Sequence, residues 1–175
     1  MILEDQLFAR HAGKSILLDS NLLLVWLSGM LGVQLFRQFK RISVYTIRDY
    51  ELLVRLLGCF NILLTTPHIL TEVSNLANSL TGPYKRNWYA NLAALIASEP
   101  EPARFRERWI PATELAGMPE FVAFGITDAA LTKLSSEALI ITEDYRLSGA
   151  LRSQGTAVLN FGDLRKMQLF TNDRS

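Results

Sequence analysis

The sequence predicts a three-layer α/β/α sandwich around a central, mainly parallel sheet, because short apolar segments alternate with longer helical patterns. Two further observations favour this fold class. Capping residues directly follow several of the apolar segments, so those predicted strands lead into helices. The chain has 175 residues, 49% of them hydrophobic, which is enough for one substantial core. We therefore expect residues 1–175 to form a single domain.

Four apolar segments have the length and composition of strands, and the first of them is suited to a strand buried on both faces. They are Ser15–Leu18, Asn61–Thr65, Ala138–Thr142 and Thr156–Asn160. The stretch from Arg104 to Trp109 alternates arginines with other residues, and its pattern fits either an extended or a helical conformation.

The first predicted helices begin at capping signals. Ser20 or Asn21 caps a helix that runs to about Phe36. Thr46 and Asp49 form a capping box, in which each side chain bonds the other residue's backbone, and this box begins the second helix.

The later helices carry similar signals. Thr66 caps the third helix, Pro67 occupies its first position and Gly82 ends it. The remaining helices are predicted over about Tyr84–Ala97, after Thr127 as a cap, and over Tyr145–Gln154.

The segment Ile16–Phe36 is long enough to cross a membrane, since a spanning helix needs about 20 apolar residues. However, Asp19, Ser20 and Asn21 form a turn or helix-cap signal near one end of the segment. An Asp inside a span would also cost about 2–3 kcal/mol at mid-membrane. We expect a buried strand, a cap and a buried helix, with no membrane insertion.

Cysteine and histidine usage excludes several kinds of site. The single Cys59 cannot form an internal disulfide, and its apolar neighbours predict a packed core residue in a reducing compartment such as the cytoplasm. The chain has two histidines and no Cys-x-x-Cys pair, so it lacks a ligand set for zinc. His68 lies four residues before Glu72 on the same helix face, where a structural or surface role is the alternative to a place in a cleft.

Net charge gives no general attraction to nucleic acid, because 18 Lys and Arg nearly balance 17 Asp and Glu, for a formal charge of +1. A local patch would have to supply it. One candidate is the stretch Arg104, Arg106 and Arg108 together with Lys85 and Arg86, although such a stretch is also typical of a solvated face. Aromatic residues that could stack on RNA bases lie among them: Trp88, Tyr89, Phe105 and Trp109.

Four acidic residues lie where this fold class binds ligands, outside the carboxyl ends of the strands. Asp19 follows the first predicted strand and Asp144 follows the strand Ala138–Thr142. Glu72 lies about a turn and a half into its helix, and Asp128 lies in the first turn of another. Each also has a structural interpretation as a cap, a first-turn charge or a solvated residue. Clustered carboxylates repel one another, and a hard cation such as Mg²⁺ would relieve that repulsion.

Four segments in this order resemble the motifs of PIN-domain ribonucleases, a family that includes the toxins of bacterial toxin–antitoxin pairs. They are Leu-Leu-Asp19-Ser-Asn21-Leu-Leu, Thr-Pro-x-Ile-Leu-Thr-Glu72-Val, Gly125-Ile-Thr-Asp128-Ala-Ala-Leu and Ile-Ile-Thr142-Glu-Asp144-Tyr-Arg-Leu. The resemblance extends from Ile16 to about Phe161. It implies cleavage of RNA phosphodiesters with Mg²⁺ or Mn²⁺. The implied catalytic residues and metal ligands are Asp19, Glu72, Asp128 and Asp144, supported by Asn21 and Thr142.

The chain departs from the compact toxins of this family in length. Extra sequence surrounds Phe36–Tyr45 and Ala97–Pro119, and Glu143 beside Asp144 is a further carboxylate that could share the site. The leading hypothesis is a metal-dependent endoribonuclease, the toxin of a toxin–antitoxin pair. A catalytically inactive PIN-like module that binds RNA or protein is the alternative. A phosphatase of the haloacid dehalogenase type is disfavoured, because it would need a second Asp in place of Asn21. The high apolar content would suit a homodimer face or a groove for an antitoxin helix.

Overall fold

The computed structural model describes residues 6, 9–32, 34–97 and 105–172, with side chains as far as residue 167. Five parallel strands form one sheet in the order β3-β2-β1-β4-β5. They are β1 (Ser15–Leu18), β2 (Ile62–Thr65), β3 (Phe105–Glu107), β4 (Leu139–Thr142) and β5 (Val158–Asn160). The architecture is that of a three-layer α/β/α sandwich, as the sequence predicts.

Helices connect and cover the strands. They are α1 (Ser20–Met30), α2 (Leu35–Gln38), α3 (Ile47–Gly58), α4 (Pro67–Ala77), α5 (Gly82–Ala97), α6 (Ala112–Leu115), α7 (Pro119–Phe124), α8 (Ile126–Lys133), α9 (Tyr145–Ser153) and α10 (Phe161–Asn172), with a 3₁₀ turn at Lys40–Ile42. Helix α4 packs against both α1 and α8. The helix that follows β2 therefore contacts both the helix that follows β1 and the helix that carries Asp128.

The four predicted strands are confirmed, and their burial explains why the apolar pattern found them. Leu17 pairs with Leu64 of β2 on one side and with Ile140 of β4 on the other, so β1 is central. Its side chains from Ile16 to Leu18 are at most 1% exposed. The undetermined stretch after Arg104 contributes β3 at the edge of the sheet, while Arg104 itself lies outside the described residues.

Two predicted caps are confirmed. Thr46 and Asp49 form the full capping box at the start of α3, with the Thr46 backbone N–H bonded to the Asp49 carboxylate at 2.7 Å. Thr66 caps α4 through the backbone N–H of Ile69, and Pro67 is its first residue. These signals act within four residues of one chain segment, so tertiary packing has little opportunity to override them.

Other predicted caps and ends are wrong. Asp19, rather than Ser20 or Asn21, caps α1. That helix stops at Met30, because Gly32 adopts a positive φ of 123°, and Phe36 belongs to the separate α2.

Errors of the same kind occur further along the chain. Helix α4 ends at Ala77, well before Gly82, which instead begins α5. Helix α8 is preceded by Gly125, whose φ is +98°, so Thr127 lies inside the helix and does not cap it. The helix at Tyr145 is confirmed, and its last residue is Ser153.

The prediction of a packed, buried Cys59 is wrong. Cys59 follows the last residue of α3 and is exposed, since only its neighbour Phe60 turns inward to the core. Apolar flanks therefore misled the interpretation at a helix end, where consecutive residues face different surroundings. Within the described residues no helix is long and apolar enough to cross a membrane.

Close contact between α1 and α3 depends on a glycine. A Cβ on the buried Gly29 would overlap the ring of Tyr50, which also stacks edge-on against Phe36 at 6.1 Å. We expect Gly29→Ala to lower the free energy of unfolding by about 1–3 kcal/mol through overpacking. In a Tyr50→Ala background the same change should cost much less. Urea unfolding of the four proteins in this double-mutant cycle measures the difference, and an equal cost in both backgrounds would contradict the contact.

Candidate functional site

Asp19 is a rigidly held carboxylate at the carboxyl end of the central strand. Its backbone N–H still bonds the carbonyl of Ile141 in β4, which ties the residue to the sheet edge. Its Oδ1 accepts from the backbone N–H of Leu22 at 2.8 Å, and its Oδ2 accepts from the Thr142 hydroxyl at 2.6 Å and the Glu143 N–H at 2.9 Å. Burial raises the pKa of Asp19, although these three hydrogen bonds act in the opposite direction.

Thr142 joins Asp19 to Asp144. While its hydroxyl donates to Asp19, the same oxygen accepts the backbone N–H of Asp144 at 3.0 Å. Asp144 then caps α9, with Oδ1 accepting from the N–H groups of Arg146 and Leu147 at 2.7 and 3.0 Å. Capping uses one oxygen of each acid in the way the structural interpretation expects, and it fixes where each carboxylate stands.

Glu72 lies on α4 and is held by the residue that follows Asp19. The Ser20 hydroxyl donates to Glu72 Oε2 at 3.0 Å, a contact between residues 52 positions apart in the chain. This bond holds Glu72, which lies inside a helix and not at a strand end, close to the end of β1. It also explains why Ser20 is 6% exposed without being the helix cap.

Asp128 lies within range of the charges of the other three acids. It lies in the first turn of α8 and is half-buried. Its pKa is raised to about 7, first by burial and then by the negative charges of Asp19, Glu72 and Asp144. No other described residue forms a hydrogen bond with its carboxylate. A half-buried carboxylate among three others lacks the compensating partner that such a group requires.

The donor set fits a hard divalent cation. Oxygen ligands are what Mg²⁺ and Mn²⁺ prefer, and several oxygens here form no hydrogen bond with the described residues: Asp144 Oδ2, Glu72 Oε1 and both of Asp128. In the described ranges, no three His, Cys, Asp or Glu side chains already stand close enough to hold an ion. Binding would therefore have to draw the mutually repelling carboxylates together.

Glu143, the predicted competitor for the site, is bonded elsewhere. Its carboxylate accepts from the Tyr45 hydroxyl and, at 2.7 Å, from Arg165 Nη1. Arg165 Nε also pairs with Asp49 at 2.8 Å, and its guanidinium lies over the Tyr45 ring. These contacts engage both oxygens of the Glu143 carboxylate, while its backbone N–H supports Asp19.

Two other residues have limited roles in this geometry. Asn21 is half-buried on the first turn of α1, and its side chain forms no hydrogen bond with the described residues. His68 is half-buried in the first turn of α4, and its Nδ1 has no hydrogen-bond partner among them. The structure thus gives neither residue a supporting contact to the four acids.

The predicted aromatic and arginine patch is largely used for packing. Trp88 is 1% exposed and donates its indole N–H to Ser28, and Tyr89 donates to the carbonyl of Ser74. Arg108 pairs with Glu137 at 3.0 Å. Of the patch aromatics, Trp109 is the exposed one, at 77%. Base stacking by Trp88 is therefore excluded.

The sequence reasoning missed Ser20, Tyr45 and Arg165 as residues that hold the site. Ser20 carried a signal, since it lies between Asp19 and Asn21 in a motif already singled out. Tyr45 and Arg165 carried none, because they reach Glu143 from 98 and 22 positions away.

Charge repulsion at Asp128 should lower the free energy of unfolding at a pH where its carboxyl is ionised. A carboxyl whose pKa is higher in the folded state leaves stability intact below its unfolded pKa near 4 and lowers it as pH rises towards 7. We expect Asp128→Asn to stabilise the metal-free protein at pH 8 by about 1–2 kcal/mol, allowing for solvent screening of a half-buried group. Urea unfolding in EDTA at pH 8 and pH 5 tests this, with Glu114→Gln as an exposed control. A gain that is equal at both pH values would contradict the shared charge.

No family model matches the chain, and no match was found among the curated proteins or the solved structures.

Proposed function

We propose that the chain is a metal-dependent endoribonuclease of the PIN type that hydrolyses RNA phosphodiester bonds. The observations that support the proposal are the hydrogen bonds through which Thr142 links Asp19 to Asp144 and Ser20 holds Glu72 beside the end of β1, with Asp128 within range of the charges of all three. Their order along the chain supports the resemblance drawn from the sequence. Carboxylates of this kind bind a divalent cation, which in turn binds a substrate phosphate.

The four acids would bind the metal ion in different ways. Asp19 is the fixed ligand, because three hydrogen bonds hold its carboxylate in place. Glu72 and Asp144 each keep an oxygen for an ion, and Asp128 keeps both. When bound, Mg²⁺ or Mn²⁺ would lower the pKa of a water molecule and stabilise negative charge on the phosphodiester.

Cleavage of RNA by the purified protein tests the proposal. Total RNA would be incubated with Mg²⁺, Mn²⁺ or EDTA, the 5′ ends of the products mapped, and the phosphate groups at both their 5′ and 3′ ends identified. We expect cleavage only with a divalent ion, and ends that carry linear phosphates because water attacks the phosphorus. Cyclic 2′,3′-phosphate ends, or equal cleavage in EDTA, would contradict a metal-dependent hydrolysis.

One observation favours the alternative of a non-catalytic binding module. The four carboxylates are not already assembled as a ligand group among the described residues. Calorimetry separates the two functions, since a nuclease must bind Mn²⁺ and a binding module need not. RNA binding without any divalent-ion binding would support the module.

The toxin role and its partners belong to the same proposal. An antitoxin helix or a second copy of the chain would cover some of the exposed apolar side chains, which include Val122 at 87% and Trp109 at 77%. A small open reading frame next to this one would support an antitoxin partner. Co-expression of the two proteins should then suppress RNA cleavage.

A further inference from the structure

An open groove of about 750 Å³ lies between the end of α1 and the start of α3. Its lining includes Gln34, Phe36, Arg37, Ser43, Tyr45 and Arg48. This is the extra sequence by which the chain departs from the compact toxins. A cavity of this size is within the range that binds ligands of one or two nucleotides.

The segment that forms the groove is basic, and two of its basic side chains, Arg37 and Arg48, line the groove. Residues 34–48 contain four basic side chains and no acidic one: Arg37, Lys40, Arg41 and Arg48. All four are exposed, and none forms an ion pair with an acidic side chain of the described residues. In a chain whose net charge is only +1, such a concentration of unpaired cations is a local binding surface for an anion.

The groove ends beside the acidic site. Tyr45, which is in its lining, donates its hydroxyl to Glu143, and the Glu143 N–H bonds Asp19. The negative charge of Asp19 contributes to the raised pKa of Tyr45, after burial and the contacts with Glu143. Tyr45 in the groove lining is therefore linked to Asp19 through one intervening residue, Glu143.

This placement fits a polyanion that has to approach other negative charges. Four carboxylates repel the phosphates on either side of a bond that they help to cut, and nearby cations offset that repulsion. Ile47 is 50% exposed in the same groove and offers an apolar surface to an unpaired base. Cationic side chains with an apolar contact for bases are how proteins bind single strands without sequence preference.

We propose that the groove formed by residues 34–48 binds the phosphate backbone of single-stranded RNA next to the bond that is cut. The inference rests on the proposed function and names where its substrate lies. Arg37 and Arg48, which stand in the lining, contact phosphates. An acidic protein segment is the competing occupant.

Binding of a fluorescein-labelled single-stranded RNA of about 12 nucleotides, in EDTA so that no cleavage occurs, tests the proposal. The variant is Arg37→Glu with Arg48→Glu, and the matched control is Arg10→Glu with Arg55→Glu, which makes the same charge change at exposed residues outside the groove lining. We expect at least about tenfold weaker binding for the groove variant and less than about threefold for the control. Losing two phosphate contacts should also reduce the slope of log K against log salt by about 1.4.

Two further measurements make the result decisive. Thermal unfolding verifies that each variant folds, and Arg37→Gln with Arg48→Gln, expected to weaken binding by about fivefold, replaces the reversal if that protein does not fold. Equal weakening by the groove and control variants would overturn the proposal, as would wild-type affinity in the groove variant. Loss of polyglutamate binding with RNA binding intact would assign the groove to a protein and also overturn it.

The outcome is separable from that of the proposed function. If the groove variant binds and cuts RNA like wild type, the groove does not bind the RNA and the nuclease proposal still stands. If the wild-type protein binds RNA through the groove but does not cut it, the nuclease proposal is wrong and the groove proposal still stands.

Discussion

Asp19→Asn is expected to lower kcat/KM for RNA cleavage by about 10²–10³-fold, because a ligand that helps a metal ion stabilise transition-state charge contributes several kcal/mol. The change is isosteric and removes only the negative charge and one acceptor. The Asp19 carboxylate is held tightly in place, since backbone and side-chain donors form hydrogen bonds to both of its oxygens. Cleavage should fall alike in Mg²⁺ and Mn²⁺.

Folding has to be measured beside activity in this experiment. Asn cannot accept all three hydrogen bonds that Asp19 accepts, so one N–H or O–H donor loses its partner at a cost of about 1–3 kcal/mol. Removal of a buried charge offsets part of that cost. Activity is therefore compared well below both melting temperatures, with Asp163→Asn, the same change at a half-buried acid that pairs with Arg152, as the control. Wild-type cleavage by folded Asp19→Asn protein would exclude the proposed mechanism.

Much of the fold could be predicted because its signals are local or fully buried. The strands β1 and β4 are apolar at almost every position, since both of their faces are covered, and such runs stand out in any sequence. Strand β3 lies at the edge of the sheet, where Arg106 and Glu107 face solvent. An edge strand needs no apolar pattern, so composition could not identify it.

The cap of α1 shows a different limit. Asp19, Ser20 and Asn21 are all good capping residues, and sequence alone does not rank them. The structure selects Asp19 because the sheet holds its backbone beside Ile141, so the helix can begin only after it. Ser20 is then free to bond Glu72, which no capping rule would have suggested.

The positions of Asp19 and Asp144 after β1 and β4 could be predicted, because the carboxyl ends of parallel strands meet at one edge of the sheet. What holds them was not predictable in the same way. Arg165 joins Asp49 of α3 to Glu143 after β4, and that contact depends on where α10 docks. Long-range contacts of this kind have no spacing in the sequence, so only the folded chain reveals them.

Thr142→Val is the second change with a large expected effect, and it separates a metal site from a set of helix caps. Thr142 is fully buried, and its hydroxyl bonds both the Asp19 carboxylate and the backbone N–H of Asp144. Valine keeps the shape of the side chain and removes the hydroxyl. Residues that orient metal ligands typically change metal affinity or activity by about 10–100-fold when they are lost.

We therefore expect Thr142→Val to cut RNA about 10–100-fold more slowly and to need more Mn²⁺ for half-maximal activity. Its free energy of unfolding should also fall by about 1–3 kcal/mol, because Asp144 is left with an unpaired backbone N–H. Thr142→Ser is the matched control, since it restores the hydroxyl and loses only a methyl group, so it should recover the Mn²⁺ requirement of wild type. A purely structural threonine would lower stability in the valine variant without moving the Mn²⁺ requirement. That result would leave Asp19 and Asp144 as helix caps and remove the argument that Thr142 holds them for an ion.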